Sequence, residues 1–259
     1  MMQQRIQSAL QTIETNKSVK ILYACESGSR AWGFPSADSD YDVRFIYLHP
    51  RDWYLSINVE HKRDVIERPI DDLLDVNGWD ARKALHLFYK SNPPLLEWLG
   101  SPTVYWEQST FARQLRELRP IYYNPVASMY HYLHMAQRNY REYLKGERVW
   151  LKKYFYVLRP ILAANWIERD YGVVPTEFDV LVERIVDDPA LKQQIALLVA
   201  QKKAGEELKY GPRIPEIGDY VQSELARLGD KQFERQVKRH AIEPLNELFR
   251  AVLAEVWGD

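Results

Sequence analysis

Residues 19–48 carry the pattern that most narrows what this chain can fold into. A short apolar strand ends in a glycine-serine turn, and a second apolar strand then opens on two carboxylates one residue apart. The first strand reads Val19-Lys20-Ile21-Leu22-Tyr23-Ala24-Cys25 and is closed by Glu26-Ser27-Gly28-Ser29. The second runs from Tyr41 to Leu48 and is closed by His49-Pro50. Ahead of both, Ile6, Leu10 and Ile13 stand at helical spacing, so a helix is expected to lead into the first strand. Arg30-Ala31-Trp32-Gly33 reads as a short helical turn between the strands.

Two further strands are expected at Lys62–Glu67 and Leu73–Trp79. Asp80 is placed to cap the next helix, whose apolar positions Ala84, Leu85, Leu87 and Phe88 run up to Asn92-Pro93-Pro94. From Leu95 onward the chain reads as almost wholly helical, with breaks at Ser101-Pro102, Pro120, Asn124-Pro125, Gly172 to Pro175, Pro189 and Gly211-Pro212. The implied class is α+β: a small mixed β-sheet domain over residues 1–100 and a helical part over residues 101–259. A hydrophobic content of 46% with 13% aromatic residues excludes a disordered or collagen-like chain. A formal net charge of −1 argues against broad electrostatic capture of nucleic acid, although a terminus needs only a small basic patch. The single cysteine, Cys25, excludes an internal disulfide and a cysteine-rich zinc site, and on a buried strand it is expected to be inert. No stretch has the apolar length of a signal peptide or a membrane span, so a cytoplasmic protein without a membrane partner is expected.

The chemistry concentrates in Gly28 to Asp42. A small residue after a strand lets backbone N–H groups approach an anion, and the Ser29 hydroxyl adds a donor. On an extended strand Asp40 and Asp42 project to one face, where two carboxylates repel unless a cation lies between them. Oxygen ligands of this kind suit Mg²⁺, with Mn²⁺ as the alternative. A divalent cation there would compensate charge on phosphates, as nucleotidyl transfer requires. Asp-x-Asp alone is common on surfaces; the preceding Gly-Ser turn and the strand context make it informative. Asp38 is read as a turn residue.

Gly28-Ser29 followed by Asp40-x-Asp42, eleven residues after Ser29, resembles the nucleotide-binding motif of the DNA polymerase β nucleotidyltransferase superfamily. The longer pattern Gly28-Ser29-Arg30-Ala31-x-Gly33, Ser36-x-Asp38-Ser39-Asp40-Tyr41-Asp42, with Lys83 and Ser91 to Leu99 downstream, resembles predicted nucleotidyltransferases associated with RNA-ligase repair systems. The resemblance implies a nucleotidyltransferase core over 1–100, with the helical part over 101–259 completing the cleft. It further implies that Gly28 and Ser29 hold an NTP's triphosphate, that Asp40 and Asp42 bind metal, and that a third carboxylate from a neighbouring strand activates the acceptor hydroxyl. Asp75 is the preferred third carboxylate, because its strand runs directly into the helix capped by Asp80; Asp64, on the preceding strand, is the rival.

The implied activity moves a nucleoside monophosphate from an NTP to an acceptor hydroxyl, on a nucleic acid end, a protein or a small molecule, with release of pyrophosphate. A cleft that binds nucleotide without turnover is the alternative. Val149–Arg159 reads as one helix on which Lys152, Tyr156 and Arg159 share a face. Such basic and tyrosine side chains commonly contact the nucleotide in this superfamily, against the plain reading of a solvated basic edge. Arg30 is read as a phosphate contact or as the partner of a local carboxylate. Trp32 and Phe34 read as packing or as the wall of a base pocket. Lys202, Lys203 and Lys209, beside Glu206 and Glu207, read as a solvent-facing mixed-charge run, with phosphate binding as the functional alternative. His131 and His134 read as packing rather than as zinc ligands. The oligomeric state and the choice of base are left open.

Overall fold

The computed structural model describes the chain except for Met1, Glu207, Gln232, residues 234–239 and Asp259. Its centre is a five-stranded mixed sheet in the order β3-β4-β2-β1-β5. β1 (Lys20–Glu26) follows helix α1 (Met2–Lys17), and the four-residue α2 (Gly28–Ala31) leads toward β2 (Tyr41–Leu48). After α3 (Arg51–Tyr54) come β3 (Val65–Glu67), β4 (Leu74–Asp80), α4 (Ala81–Tyr89), α5 (Pro93–Leu99), β5 (Val104–Glu107) and α6 (Phe111–Tyr122). β1 pairs antiparallel with β2 and β5, and β2 pairs parallel with β4.

The sheet is covered on both faces, which is why β1 is almost continuously apolar rather than alternating. On one face Ile6, Leu10 and Ile13 of α1 pack with Ile21, Val43, Phe45 and Tyr47. On the other, Leu22, Ile46 and Leu48 pack with Ala84 and Phe88 of α4, Leu95 of α5, Leu115 of α6 and Leu248 of α12 (Glu243–Trp257). A register shift between Ile21 and Tyr23 lets Leu22 and Tyr23 join the same cluster despite being adjacent in sequence. Gly78 lies opposite Phe45, whose ring stands 2.3 Å from where a Cβ would be. Any side chain at residue 78 would therefore displace that core phenylalanine.

Contacts divide the chain into two compact units. The first comprises residues 1–31, 40–123 and 239–259, and the second residues 32–39 and 124–238. Residues 101–123 and the C-terminal helix, expected with the helical part, thus group with the sheet. β5 lies in the stretch expected to be helical; its four residues occupy a sheet edge and are half-exposed or exposed, so they carry little apolar pattern. The second unit contains α7 (Pro125–Tyr143), β6 (Arg148–Trp150), a 3₁₀ turn (Leu151–Tyr154), α8 (Phe155–Glu168), α9 (Phe178–Ile185), α10 (Pro189–Lys203), β7 (Tyr210–Pro212) and α11 (Pro215–Gly229). The helix expected over Val149–Arg159 is therefore a strand, a 3₁₀ turn and the first residues of α8. Helix α8 is buried around nearly its whole circumference and forms the centre of this unit's core. No helix among the described residues is long and apolar enough to cross a membrane.

Asp80 joins β4 to α4. One carboxylate oxygen accepts the Arg82 N–H at 2.8 Å as an N-cap, and the other accepts the Tyr54 hydroxyl at 2.7 Å. Burial pushes its pKa from the ordinary 3.8 up to about 6. A carboxyl that holds its proton more tightly when folded contributes stability that is complete below about pH 4 and is lost as the pH rises through about 6. Asp80→Asn keeps the cap without ionising. Urea titrations across this window should show the stability of the wild type relative to the variant falling as pH rises, by at most about 3 kcal/mol. A pH-independent difference would rule this account out.

Candidate active site

The turn after β1 is fixed by a buried acid. Glu26 is 2% exposed; one oxygen accepts the Asp42 N–H at 2.7 Å and the other accepts the Tyr105 hydroxyl. Burial raises the Glu26 pKa above its usual range, while these two donors pull it back. Ser27 N–H donates to the Asp42 carbonyl at 2.9 Å, so the turn is tied at two points to the first residues of β2. Gly28 follows with φ +60°, and a Cβ on it would lie 2.0 Å from Asp42 Oδ2. Both the left-handed backbone and the close carboxylate require glycine here. Ser29 and Arg30 continue the short turn of α2, half-buried.

The parallel pairing of β2 with β4 sets Asp42 directly opposite Asp75. Arg44, two residues along β2, joins them: Nη2 donates to Asp42 Oδ1 at 2.9 Å and to Asp75 Oδ2 at 2.7 Å. Its Nη1 reaches the Val43 and Asp75 carbonyls, each at 3.2 Å. All three side chains are 19–27% exposed, open enough to meet a ligand. Asp40 is exposed and stands immediately before β2. Arg30 Nε donates to the Asp40 carbonyl at 3.1 Å, and its guanidinium lies 3.6 Å over the Tyr41 ring. In this geometry Arg30 holds the entry to β2.

Asp64 belongs elsewhere. Its carboxylate pairs with Lys83 at 2.8 Å, and its carbonyl accepts the Asp80 N–H. Asp80 is paired with Tyr47, five residues along both strands from the Asp42–Asp75 pair, a separation of roughly 16 Å. Of the two acids, Asp75 is the one the sheet sets beside Asp42. Cys25 is buried, and burial pushes its thiol up to about 12, in keeping with an inert side chain.

Lys152 is exposed on the 3₁₀ turn, Tyr156 is half-buried on α8, and Arg159 is only 3% exposed. Arg159 donates from Nη2 to the Pro175 and Thr176 carbonyls, each at 3.2 Å, and lies 5.0 Å over the Trp32 ring, while Tyr156 meets that ring edge-on at 5.5 Å. Trp32 and Phe34 pack into the core of the second unit. Lys202 is half-buried, and its ammonium donates to the hydroxyls of Ser36 at 2.6 Å and Ser39 at 3.3 Å. Glu207 of the same charged run lies outside the described residues.

Arg44, Glu26 and Tyr105 were not singled out as site residues from the sequence. Strand alternation places Arg44 on the face of Asp42, so that signal was available; nothing local marks Glu26 or Tyr105, which meet through sheet pairing. Among the described residues no three His, Cys, Asp or Glu side chains are gathered as a metal cage. Magnesium needs less, because it is commonly held by one or two carboxylates with substrate phosphates completing its coordination. Asp42 and Asp75, adjacent and partly exposed, are oxygen donors of that kind.

A glycine-serine turn set against carboxylates on neighbouring strands of a mixed sheet is the arrangement of the DNA polymerase β nucleotidyltransferase superfamily. Within it, the chain belongs to RlaP, the RNA repair pathway DNA polymerase beta family, whose model matches residues 2–251. The chain is 52% identical over 259 residues to the uncharacterized protein YcgL of Bacillus subtilis (strain 168), covering all of this chain and 99% of that one. Among solved structures, a nucleotidyltransferase-like protein from Exiguobacterium sibiricum 255-15 aligns with 99% of this chain and 91% of its own, at 13% identity and a TM-score of 0.32.

Two glycines separate close contact from backbone strain. Gly28 has φ +60° and abuts Asp42, whereas Gly33 has φ +93° with nothing within 4 Å of where a Cβ would stand. Gly33→Ala should cost about 1 kcal/mol in urea unfolding, and Gly28→Ala about 2–3 kcal/mol, because the carboxylate must also move. Equal costs would show that Asp42 does not press on this turn.

Proposed function

We propose that this protein is a Mg²⁺-dependent nucleotidyltransferase, with Mn²⁺ as an alternative ion, that moves a nucleoside monophosphate from an NTP to an acceptor hydroxyl. The observation that carries this reading is the in-register Asp42–Asp75 pair beside the Gly28 turn. Gly28 and Ser29 present N–H and hydroxyl donors to the triphosphate. Asp42 and Asp75, with Asp40 from the strand entry, would hold the metal, which would supply charge compensation at the phosphates. Asp75 accepts the proton of the acceptor hydroxyl; the acceptor oxygen forms a bond to the α-phosphorus, the α–β phosphoanhydride bond breaks, and pyrophosphate leaves with the electron pair. Lys152 and Tyr156 serve as auxiliary nucleotide contacts, and Arg159 acts through its support of Trp32. The description of the family as part of an RNA repair pathway favours a nucleic acid end over a protein or small-molecule hydroxyl.

A second reading has its own support. Arg44 bridges Asp42 and Asp75 and supplies the positive charge a metal would bring, which suits a cleft that binds nucleotide without turnover. Incubation with each labelled NTP and RNA fragments of defined ends, followed by pyrophosphate release and label transfer, separates the two. Transfer is expected, and Asp42→Asn and Asp75→Asn should each lower it by about 10²–10⁴-fold with unchanged circular dichroism. Nucleotide binding without pyrophosphate release would establish the second reading. Undiminished turnover in the double variant would exclude this site as the catalytic one.

A further inference from the structure

The segment joining the glycine turn to Asp40 is anchored by groups remote in sequence. Phe34 is 3% exposed, stacked on Phe155 at 4.5 Å and edge-on to Phe178 at 5.4 Å. Phe178 N–H donates to the Trp32 carbonyl at 3.0 Å. Further along, Ser36 and Ser39 are 4% and 6% exposed and form a closed turn. Ser39 N–H donates to the Ser36 carbonyl at 3.1 Å, Ser36 N–H donates to Ser39 Oγ at 2.9 Å, and the two hydroxyls lie 2.9 Å apart.

Such a pair of buried hydroxyls needs more than each other. Lys202, in the last turn of α10, places its ammonium on both, at 2.6 and 3.3 Å, across more than 160 residues of sequence. A charged donor to a buried hydroxyl is stronger than a neutral contact, and removing it leaves acceptors without their partner. Ammonium and hydroxyls thus form one network on a four-residue turn, and the residue peptide-bonded to its end is Asp40.

We propose that Lys202 is a positioning residue: by fixing the Ser36–Ser39 turn it sets the backbone from which Asp40 presents its carboxylate to the metal. The metal half of this proposal rests on the nucleotidyltransferase reading. The role differs from phosphate binding, the functional alternative for this lysine in the sequence, because the ammonium is committed to Ser36 and Ser39.

The test uses the full chain and three variants. Lys202→Met keeps the aliphatic stem and removes the charge; Ser36→Ala with Ser39→Ala removes the acceptors; Lys203→Ala, next along the helix, is the control. Hydrogen exchange of peptides spanning residues 34–41 reads the turn directly, and counting free Mn²⁺ by electron paramagnetic resonance reads metal affinity without turnover. Lys202→Met should speed exchange of the Ser36 and Ser39 amides by about tenfold and weaken Mn²⁺ binding by about fivefold, while KM for NTP at saturating Mn²⁺ stays within about twofold. The double serine variant should reproduce both changes, and adding Lys202→Met to it should add little. Lys203→Ala should match the wild type. Unchanged exchange in Lys202→Met overturns the proposal. So does faster exchange with unaltered Mn²⁺ affinity, or a raised KM for NTP as the main effect, which would make Lys202 a phosphate ligand. If the wild type binds no Mn²⁺, the nucleotidyltransferase reading and the metal half of this proposal fail together, while the exchange result alone still decides whether Lys202 holds the turn.

Discussion

Asp42 and Asp75 are neighbours across a parallel strand pair, and that places two like charges where they would repel unless something intervenes. Arg44 intervenes, donating from one nitrogen to both carboxylates. The other features at this end of the sheet serve the same placement. Glu26 receives the Asp42 N–H and Arg30 holds the Asp40 carbonyl. Gly28 yields the space that the Asp42 carboxylate fills. Two carboxylates brought together are costly to a fold unless a cation offsets them, and Arg44 supplies that charge.

The precision of this corner comes from the sheet being covered on both faces. With α1 against one side and α4, α5, α6 and α12 against the other, β1 and β2 cannot slip without moving an entire apolar face. Side chains on such strands are better placed than side chains on loops. Asp40 is the exception: it lies outside β2, exposed, and follows a segment packed with the helical unit. That segment is anchored at Phe155, Phe178 and Lys202 rather than by the ladder that fixes Asp42 and Asp75.

Much of the core was legible because its signals are local. The run Tyr41 to Leu48 is β2 to the residue, since apolar content and the closing His49-Pro50 both lie within it or at its end. Asp80 caps α4 as its position suggests, because an N-cap bond spans only two residues. β5 was not legible, because an edge strand of four half-exposed or exposed residues carries no periodic pattern. The stretch Val149–Arg159 keeps helical spacing yet divides into three elements, since Leu151 and Lys152 donate their N–H groups to the Lys209 and Leu208 carbonyls, far along the chain. Lys202 in a charged run reads as solvated, and only the distant serines make it a buried-side contact.

The sequence by itself determined that a Gly-Ser turn and an Asp-x-Asp pair join the first two strands, because backbone permissiveness at glycine and the apolar runs on either side are properties of a few consecutive residues. Tertiary structure decided which acid joins them: Asp75 meets Asp42 because β4 runs parallel to β2 in that register, and Asp64 lies near Asp80 instead. It also decided that Arg44 is the cation between the acids and that Lys202 holds the turn before Asp40. Strand register and long-range charge pairing arise from packing whole elements together, and no window of neighbouring residues contains that information.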